Sequence, residues 1–303
     1  MLDVCLLGTG GMMPLPYRFL TSLFLRFNGS SLMIDCGEGT QIALRKKGFS
    51  ANPIDTICFT HYHGDHIGGL PGLLLTMGNA DRTEPLTLIG PKGLERVTGM
   101  LRVIAPELPF QIRFMEFSGD SFDYETEKGY VIHAFKVNHR VPCYGYNVSI
   151  RRLGEFLPEK AKENGVPLKY WNRLQHGETI EEDGAVYSPE LVMGPSRRGL
   201  KLTYVTDTRP TESIEENALD SDLLILEGMY GDPDKEASIR EKKHMMMQEA
   251  CEIAKKVDPK ELWLTHFSPA VTHPGEYEEE LKKIFGRTVI PKDGHGTVLT
   301  FEA

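Results

Sequence analysis

The chain has 303 residues, of which 40% are hydrophobic and 25% are charged, a composition typical of a globular rather than a disordered protein. Its formal net charge of −9 argues against a general nucleic-acid-binding surface, although metal ions in a site would supply positive charge locally. No run approaches the ~18 apolar residues of a membrane span, and the N-terminal residues lack the basic region of a signal peptide, so we expect a cytoplasmic protein without a membrane partner.

The first half of the chain alternates short apolar runs with turn residues, which is the pattern of strands joined by tight turns. We predict strands over residues 2–7, 22–27, 31–34, 56–60, 86–89 and 131–137, and helices over 39–47 and 72–77. Asn28-Gly29, between the second and third strands, is a favoured pair for a two-residue hairpin turn. Gly48 is placed to end the first helix.

Residues 151–200 differ from their surroundings because they are richer in charged and turn residues and have weaker apolar runs. We interpret this segment as an insertion or arm with two short helices, over 159–164 and 168–175. Strands over 202–206, 223–226 and 261–265 and a helix over 244–256 complete the chain. Strands alternating with helices on both sides of the insertion predict one α/β sandwich domain over 1–303, with halves of about 1–150 and 201–303 that contribute to one site.

The run from His61 to His66 places four side chains of metal-binding type, His61, His63, Asp65 and His66, directly after a predicted strand. Zinc and similar ions bind imidazoles and carboxylates at ~2.0–2.2 Å, so these side chains must converge from one short loop. Gly64 allows the tight backbone path that this requires. His61 and His63 alternate and can point the same way, whereas Asp65 and His66 lie past the bend and can face a second ion. The pattern therefore predicts a metal site.

Three further candidate ligands, His139, Asp207 and His266, each follow the end of a predicted strand. Each alone would more often be a loop residue or a helix cap. A binuclear site needs about this many additional ligands, so we expect these three to join the histidine motif. A carboxylate such as Asp207 can bridge two ions, because each of its oxygens can bind one.

The motifs together resemble the metallo-β-lactamase superfamily and, within it, the ribonuclease Z family, which trims transfer-RNA 3′ ends. The resemblance covers nearly the whole chain. Besides the histidine motif it rests on Gly8-Thr9-Gly10, on Arg18 with Thr21 and Ser22, on Asp35-Cys36-Gly37-Glu38 with Gln41, on Leu70-Pro71-Gly72, on Gly90-Pro91-Lys92-Gly93, and on His139 followed by Gly145-Tyr146.

The resemblance implies a four-layer αβ/βα sandwich in which residues 151–200 form an RNA-gripping arm. It also implies a homodimer, in which the arm of one subunit holds RNA that the other subunit cleaves. Two zinc ions, replaceable by manganese or iron, are implied as cofactors. The implied ligands are His61, His63 and His139 for one ion and Asp65, His66 and His266 for the other, with Asp207 bridging.

The same resemblance implies a catalytic Glu–His pair at Glu227 and His244, and substrate contacts from Arg18, Thr21 and Ser22. Two ions ~3.5–4 Å apart can activate a water molecule and polarise a phosphate for in-line attack. Asp65 would orient that water and accept its proton, and His244 would give a proton to the leaving 3′ oxygen. We therefore expect an endonuclease that removes the 3′ trailer of precursor transfer RNA and leaves a 3′-hydroxyl.

Several positions that contact RNA in the ribonuclease Z family differ in this chain. The family's Pro-x-Lys-x-Arg element lacks its lysine between Pro14 and Arg18, its His-Ser-Thr reads His244-Met245-Met246, and the Arg-Tyr after His266 reads Ala270-Val271. Six cations of the arm either form a basic track or belong to a solvated face interrupted by glutamates: Lys160, Lys162, Lys169, Arg173, Arg197 and Arg198. Phosphodiester hydrolysis is thus better supported than specificity for transfer RNA.

Other functions remain open at this point. The same scaffold hydrolyses small phosphodiesters, thioesters and lactams in other members of the superfamily. A non-catalytic RNA-binding protein with a structural metal site is a third alternative, which the intact ligand set disfavours. A redox di-iron protein would carry a glutamate in the histidine loop, where this chain has Gly64.

Overall fold

The computed structural model of the chain describes residues 1–182 and 184–302. These residues form two compact units. The larger unit comprises Met1–Ser149 and Lys201–Thr300, and the smaller comprises Ile150–Leu200 together with Phe301 and Glu302. Every candidate metal ligand predicted from the sequence lies in the larger unit.

The larger unit contains two seven-stranded sheets. The strands of the first sheet are β1 (Leu2–Gly8), β2 (Ser22–Phe27), β3 (Ser30–Ile34), β4 (Ile54–Cys58), β5 (Leu86–Pro91), β6 (Ile112–Phe117) and β16 (His295–Leu299), in the spatial order β16-β1-β2-β3-β4-β5-β6. Pairing is antiparallel from β16 to β3 and parallel from β3 to β6. The predicted hairpin between β2 and β3 is confirmed, because Asn28 (φ 49°) and Gly29 (φ 75°) both adopt the left-handed conformation of a tight turn.

The second sheet is built mainly from the C-terminal half. Its strands are β7 (Ser121–Glu125), β8 (Tyr130–Lys136), β9 (Tyr144–Arg152), β12 (Arg197–Val205), β13 (Leu223–Glu227), β14 (Leu262–Thr265) and β15 (Thr288–Val289), in the spatial order β15-β14-β13-β12-β9-β8-β7. β12, β13, β14 and β15 pair in parallel, so their carboxyl ends lie at one edge of the sheet.

Helices cover the outer faces of the two sheets. The helices of the larger unit are α1 (Thr40–Lys47), α2 (Gly64–Ile67), α3 (Leu70–Gly78), α4 (Leu94–Leu101), α7 (Glu212–Ala218), α8 (Glu236–Lys242), α9 (Met247–Val257) and α10 (Glu278–Leu281). Buried side chains of α1, α3 and α4 share an apolar core with the first sheet, and those of α7, α9 and α10 share one with the second. The predicted four-layer α/β sandwich is confirmed.

Two buried tyrosines join the sheets across the interior. Tyr130 of β8 donates its hydroxyl to the Ser30 carbonyl at 3.0 Å, and Tyr146 of β9 donates to the Phe59 carbonyl at 2.8 Å. Buried hydroxyl groups are costly unless hydrogen-bonded, so these contacts fix the second sheet against the first. Because Phe59 directly follows β4, the Tyr146 contact anchors the start of the histidine loop.

The smaller unit has its own apolar core and its own short elements. These are α5 (Pro158–Glu163), α6 (Trp171–Gln175), β10 (Ile180–Glu182) and β11 (Ala185–Tyr187). Its buried side chains include Ala161, Tyr170, Leu174 and Val192. The two short helices predicted for this segment are confirmed, the second starting as a 3-10 turn at Leu168–Tyr170.

One predicted helix starts later than the sequence pattern indicated. The expected helix over 244–256 begins at Met247, and His244 lies in a linker after α8. Lys243 adopts a left-handed conformation (φ 59°), which breaks the helical path between the two segments. In the described chain, none of the helices combines the length and hydrophobicity that crossing a lipid bilayer requires.

Candidate metal centre

The histidine motif lies on the loop between β4 and α2, where a single helical turn directs its side chains inward. The carbonyl of His63 accepts the N–H groups of His66 (3.0 Å) and Ile67 (3.2 Å), so His63 forms the N-terminal boundary of this turn. Asp65 and His66 project from the turn itself. His61 precedes it and is fully buried.

The other candidate residues lie at or just after the carboxyl ends of strands in the second sheet. His139 follows β8, Asp207 follows β12, Glu227 is the last residue of β13, and His266 directly follows β14. Asp207 (φ 53°) and His266 (φ 59°) both adopt left-handed backbone conformations, which are uncommon outside glycine and concentrate at functional sites.

The structure brings all seven predicted ligand side chains into two adjoining groups. Potential ligand atoms of His61, His63, His139 and Asp207 lie within 4.8 Å of one another, and so do those of Asp65, His66 and His266. Oδ1 of Asp207 faces the first group, 4.0 Å from His61 Nε2 and 3.8 Å from His139 Nε2. Its Oδ2 faces the second, 2.9 Å from His66 Nε2 and 3.2 Å from His266 Nε2. The carboxylate thus connects the groups through different oxygens.

The second group has the hydrogen-bonding state that a bound cation requires. Nδ1 of His66 lies 2.8 Å from Oδ2 of Asp35 and donates its hydrogen there, so Nε2 presents a lone pair towards His266 Nε2 at 3.2 Å. Oδ2 of Asp207 is buried, and the nearest ring nitrogens are Nε2 of His66 and Nε2 of His266. A ring nitrogen that faces a buried carboxylate in this way must carry a proton or bind a metal ion. Ligands ~2.1 Å from a tetrahedral ion are themselves ~3.4 Å apart, so the spacing fits a divalent metal.

The pKa values of the buried histidines reflect the negative charge collected here. Burial alone would lower the pKa of His66, but the carboxylates of Asp207 and Asp35 raise it well above its ordinary value. Burial would also lower the pKa of His266, but the charge of Asp207 and the hydrogen bonds that His266 donates to Asp65 and Glu227 raise it to about 10. A divalent cation would neutralise this excess of negative charge.

Asp65 connects the centre to the first loop of the chain. Its Oδ2 accepts the Met12 N–H at 2.7 Å and lies 3.3 Å from His266 Nε2. Burial would raise the pKa of this carboxyl, but the hydrogen bond from His266 and the charges of His66 and His266 hold it below its usual range. Asp65 is therefore ionised and can accept a hydrogen bond from a water molecule beside it.

Glu227 and His244 form a pair at the edge of the centre. Nδ1 of His244 lies 3.0 Å from Oε2 of Glu227, which is fully buried. The other glutamate oxygen accepts the Thr208 N–H at 2.5 Å, and Oε2 also lies 3.4 Å from His266 Nδ1. Burial would raise the pKa of Glu227, but His244 and His266 lower it. The ionised glutamate holds Nδ1 of His244, which leaves Nε2 available for proton transfer.

A cavity of about 270 Å³ opens beside His244 and beside two ligands of the first group, His63 and His139. It is lined by His63, His139 and His244, by the apolar side chains of Met12, Met229, Tyr230 and Ile239, and by the cations Arg140 and Lys242. Both cations are exposed. An anionic substrate entering the cavity would therefore meet positive side chains beside the candidate metal ligands.

The predicted substrate-binding residues lie inside the protein rather than at this cavity. Arg18 is only 6% exposed, and its guanidinium donates to the carbonyls of Val271 (2.8 Å), Thr272 (3.2 Å) and Ser268 (3.3 Å). Thr21 is fully buried and donates to the Gly10 carbonyl at 3.0 Å, and Ser22 is fully buried in β2. In this arrangement Arg18 supports the loop after His266, and direct contact with a substrate remains a prediction.

Sequence reasoning did not assign roles to two residues that support the ligands. Asp35 follows β3, and its carboxylate accepts Nδ1–H of His66 as well as the N–H of Thr60 at 2.9 Å. The hydroxyl of Thr60 lies 3.0 Å from His61 Nδ1 and 2.9 Å from Asp35 Oδ2, so it joins the two histidines to one carboxylate. A polar residue directly after a buried strand, the signal that identified Asp207, would also have identified Asp35.

Two family descriptions match parts of the chain. Residues 2–98 match the family described as Anti-Pycsar protein Apyc1, and residues 173–267 match the Beta-lactamase superfamily domain.

Curated relatives match the chain from end to end. A protein named Ribonuclease Z from Lachnospira eligens is 58% identical over 302 residues, covering 100% of this chain and 99% of its own. A protein of the same name from Lachnoclostridium phytofermentans is 59% identical over 304 residues, with the same coverage. Among solved structures, the short form of human tRNase Z has a TM-score of 0.70 at 24% identity, covering 99% of this chain and 100% of its own, which supports the fold.

Proposed function

The chain belongs to the ribonuclease Z family of metal-dependent hydrolases, and from this membership we propose that it removes the 3′ trailer of precursor transfer RNA and leaves a 3′-hydroxyl. The observation that carries the proposal is the sequence identity of 58% and 59%, over the entire chain, to two proteins named Ribonuclease Z. A hydrolytic site is supported by the convergence of the candidate ligands, by the Glu227–His244 pair, and by a cavity that His63, His139 and His244 line.

We further propose that the centre holds two zinc ions. His61, His63 and His139 would bind one ion, Asp65, His66 and His266 would bind the other, and Asp207 would bridge them. This division is supported by the two groups of ligand atoms and by the orientation of the two Asp207 oxygens towards different groups. When bound, such ions supply an activated water and polarise the phosphate under attack.

The side chains around the ions would then control protons. Asp65, ionised and held by the Met12 N–H, would orient the attacking water and take up its proton. His244 would give a proton to the leaving 3′ oxygen through Nε2, because Nδ1 is held by Glu227 at 3.0 Å. A ribose 3′ oxygen is a poor leaving group without protonation, so this donor determines whether RNA can be cleaved efficiently.

The charge distribution suggests that RNA is attracted at the cavity more than along the smaller unit. Residues 150–200 carry eight basic and eight acidic side chains. Each of the six cations considered as a basic track has a partner: Lys160 donates to the Met193 carbonyl, and Lys162, Lys169, Arg173, Arg197 and Arg198 pair with Glu159, Glu182, Glu178, Glu155 and Glu302. Five of these cations lie beside a carboxylate, which weakens their attraction for phosphate, so an RNA-gripping role of this segment would depend more on its shape.

We also propose a homodimer. Three apolar side chains at the end of α4 and in the turn after it are strongly exposed, Met100 (67%), Val103 (74%) and Ile104 (70%). Neighbouring exposed apolar side chains of this size are a common feature of subunit interfaces. Light scattering should report twice the mass of one chain for the wild type and one chain for Val103→Glu. A monomeric wild type would contradict the proposal.

The proposed reaction can be tested with two substrates in parallel, a 3′-extended precursor transfer RNA and bis(p-nitrophenyl) phosphate. We expect a single cut in the RNA that leaves a 3′-hydroxyl, lost in His63→Ala and retained in His133→Ala, whose histidine pairs with Asp123 away from the centre. If only the small diester is cleaved, the substrate would be a small phosphodiester rather than transfer RNA. Turnover of a thioester or a lactam with neither phosphodiester cleaved would overturn the assignment.

A further inference from the structure

Arg209 joins segments of the site that are far apart in sequence. It lies two residues after Asp207, and its backbone N–H donates to the carbonyl of Asn138 at 3.1 Å. Asn138 directly precedes His139 in the sequence. Asn138 and Arg209 also form an isolated antiparallel β-bridge. The backbone of Arg209 therefore ties the loop that carries Asp207 to the loop that carries His139.

The guanidinium of Arg209 reaches a third segment, which carries His244. Nη1 donates to the His244 carbonyl at 2.5 Å and to Oε2 of Glu249 at 2.8 Å, and Nη2 pairs with Oε1 of Glu249. The two side chains are only 15% and 22% exposed. Oε2 of Glu249 also accepts the Met246 N–H at 2.9 Å at the start of α9. A planar guanidinium makes these bonds in a fixed geometry that the ammonium group of lysine cannot reproduce.

His244 depends on such contacts because no helix holds it. α8 ends at Lys242, and α9 begins at Met247. Other bonds to the linker backbone also restrain it. They include those from His244 N–H to the Ile239 carbonyl and from Met229 N–H to the Met245 carbonyl, both 3.0 Å, and from His139 Nδ1 to the Lys243 carbonyl at 3.2 Å. These remain when the side chain of residue 209 is changed, so the linker should stay folded while the carbonyl of His244 loses its guanidinium donor.

We propose that Arg209 is a positioning residue for the proton donor. By holding the His244 carbonyl and Glu249 together, it fixes the linker so that Nδ1 of His244 faces Glu227 and Nε2 faces the cavity. The inference rests on the proposed function, since it takes His244 to protonate the leaving oxygen. Arg209 acts through His244 rather than on the substrate, so its removal should affect only reactions that need this proton.

Substrates with different leaving groups test this directly. A ribose oxygen needs a proton to depart, whereas p-nitrophenolate departs without one. We expect Arg209→Met to lower kcat for 3′-extended RNA at least ~10-fold and to leave bis(p-nitrophenyl) phosphate turnover within ~2-fold, because a general acid contributes ~10²–10⁴-fold and only part of that is lost by misplacement. The KM for RNA and the metal content should not change. Arg209→Lys should recover part of the RNA activity.

Arg287→Met is a matched control, because Arg287 also bridges a carboxylate, that of Asp258, and a carbonyl, that of Pro259. It should leave both activities unchanged. In a crystal structure of Arg209→Met, His244 Nδ1 should lie beyond the ~3.5 Å limit of a hydrogen bond to Glu227. This readout does not depend on activity.

The inference would be overturned by equal losses on both substrates, by loss of metal, by unchanged RNA turnover, or by an undisturbed His244 in the crystal. The variant His244→Asn distinguishes a failure of this inference from a failure of the proposed function. If His244→Asn affects both substrates equally, the role of His244 itself is wrong. If His244→Asn discriminates between the leaving groups and Arg209→Met does not, only the role of Arg209 is wrong.

Discussion

Nδ1 of His66 donates a hydrogen bond of 2.8 Å to the carboxylate of Asp35, and both side chains are fully buried. Because the hydrogen is on Nδ1, the lone pair of Nε2 points into the candidate metal centre. The carboxylate therefore selects the tautomer of His66 that can bind a cation. It also increases the basicity of the ring, which strengthens a bond from Nε2 to a metal.

Asp35→Asn should weaken metal binding, because it preserves the size of the side chain but removes the charge that holds His66. We expect the affinity for zinc to fall ~10–100-fold, measured by competition with a chelating dye. Asp123→Asn is the matched control, since Asp123 also pairs with a histidine, His133, at 2.7 Å but is 77% exposed and lies away from the centre. Equal affinities of the Asp35 variant and the wild type would contradict the role of this pair.

Gly11→Ala should disturb the second group of ligands. A Cβ at position 11 would lie 2.6 Å from Cε1 of His266, so the ring must move or the loop must shift. We expect binding of one of the two ions to weaken at least ~10-fold, seen as a lower metal-to-protein ratio after dialysis. Gly99→Ala, in α4, meets no atom within 4 Å and should bind metal as the wild type does. Full metal content in Gly11→Ala would show that His266 tolerates displacement.

Removal of the ions should destabilise the protein as well as inactivate it. A cation bound by the folded protein stabilises it relative to the unfolded chain, in which His66, His266 and Asp207 are no longer held together. A ligand present at 100 times its Kd stabilises the folded state by about 2.7 kcal/mol per site, so calorimetry with and without a chelator should differ by several degrees in Tm. Zinc or manganese should restore both Tm and activity. An unchanged Tm together with activity in chelator would exclude a metal centre here.

Lys242→Ala should weaken RNA binding more than Lys169→Ala. Lys242 lines the cavity beside His244, whereas Lys169 in the smaller unit is paired with Glu182. Losing one phosphate contact should reduce the slope of log affinity against log salt by roughly 0.7–1, so the affinity of both variants should be measured over a range of salt concentrations. A larger effect of Lys169→Ala would indicate that RNA is bound mainly by the smaller unit.

The position of the site was predictable where the signal was local. A polar residue that follows an apolar strand marks the edge of a sheet, and this predicted the placement of His139, Asp207 and His266. For the histidine motif, the spacing of its own residues was enough to predict a metal site. The spacing does not reveal the orientation of Asp207, whose backbone is left-handed and whose two oxygens face different groups of ligands.

The remaining differences come from contacts that are distant in sequence. The buried position of Arg18 could not be predicted from a local pattern, because its guanidinium donates to carbonyls about 250 positions away; its contact with a substrate stays a prediction. His244 was expected to begin a helix, but the break at Lys243 separates it from α9, and the linker is held by Arg209 from another loop. In both cases tertiary hydrogen bonds decide the conformation.

The smaller unit leaves and re-enters the second sheet between neighbouring strands, β9 and β12. The backbones are so close there that a Cβ at Gly199 would lie 2.2 Å from the carbonyl oxygen of Ile150. The two ends of this segment lie side by side in adjacent strands. Such a segment can be lengthened, exchanged or replaced by a short turn while the two strands keep their pairing. Evolution can therefore change the smaller unit independently of the larger unit, which carries every candidate metal ligand.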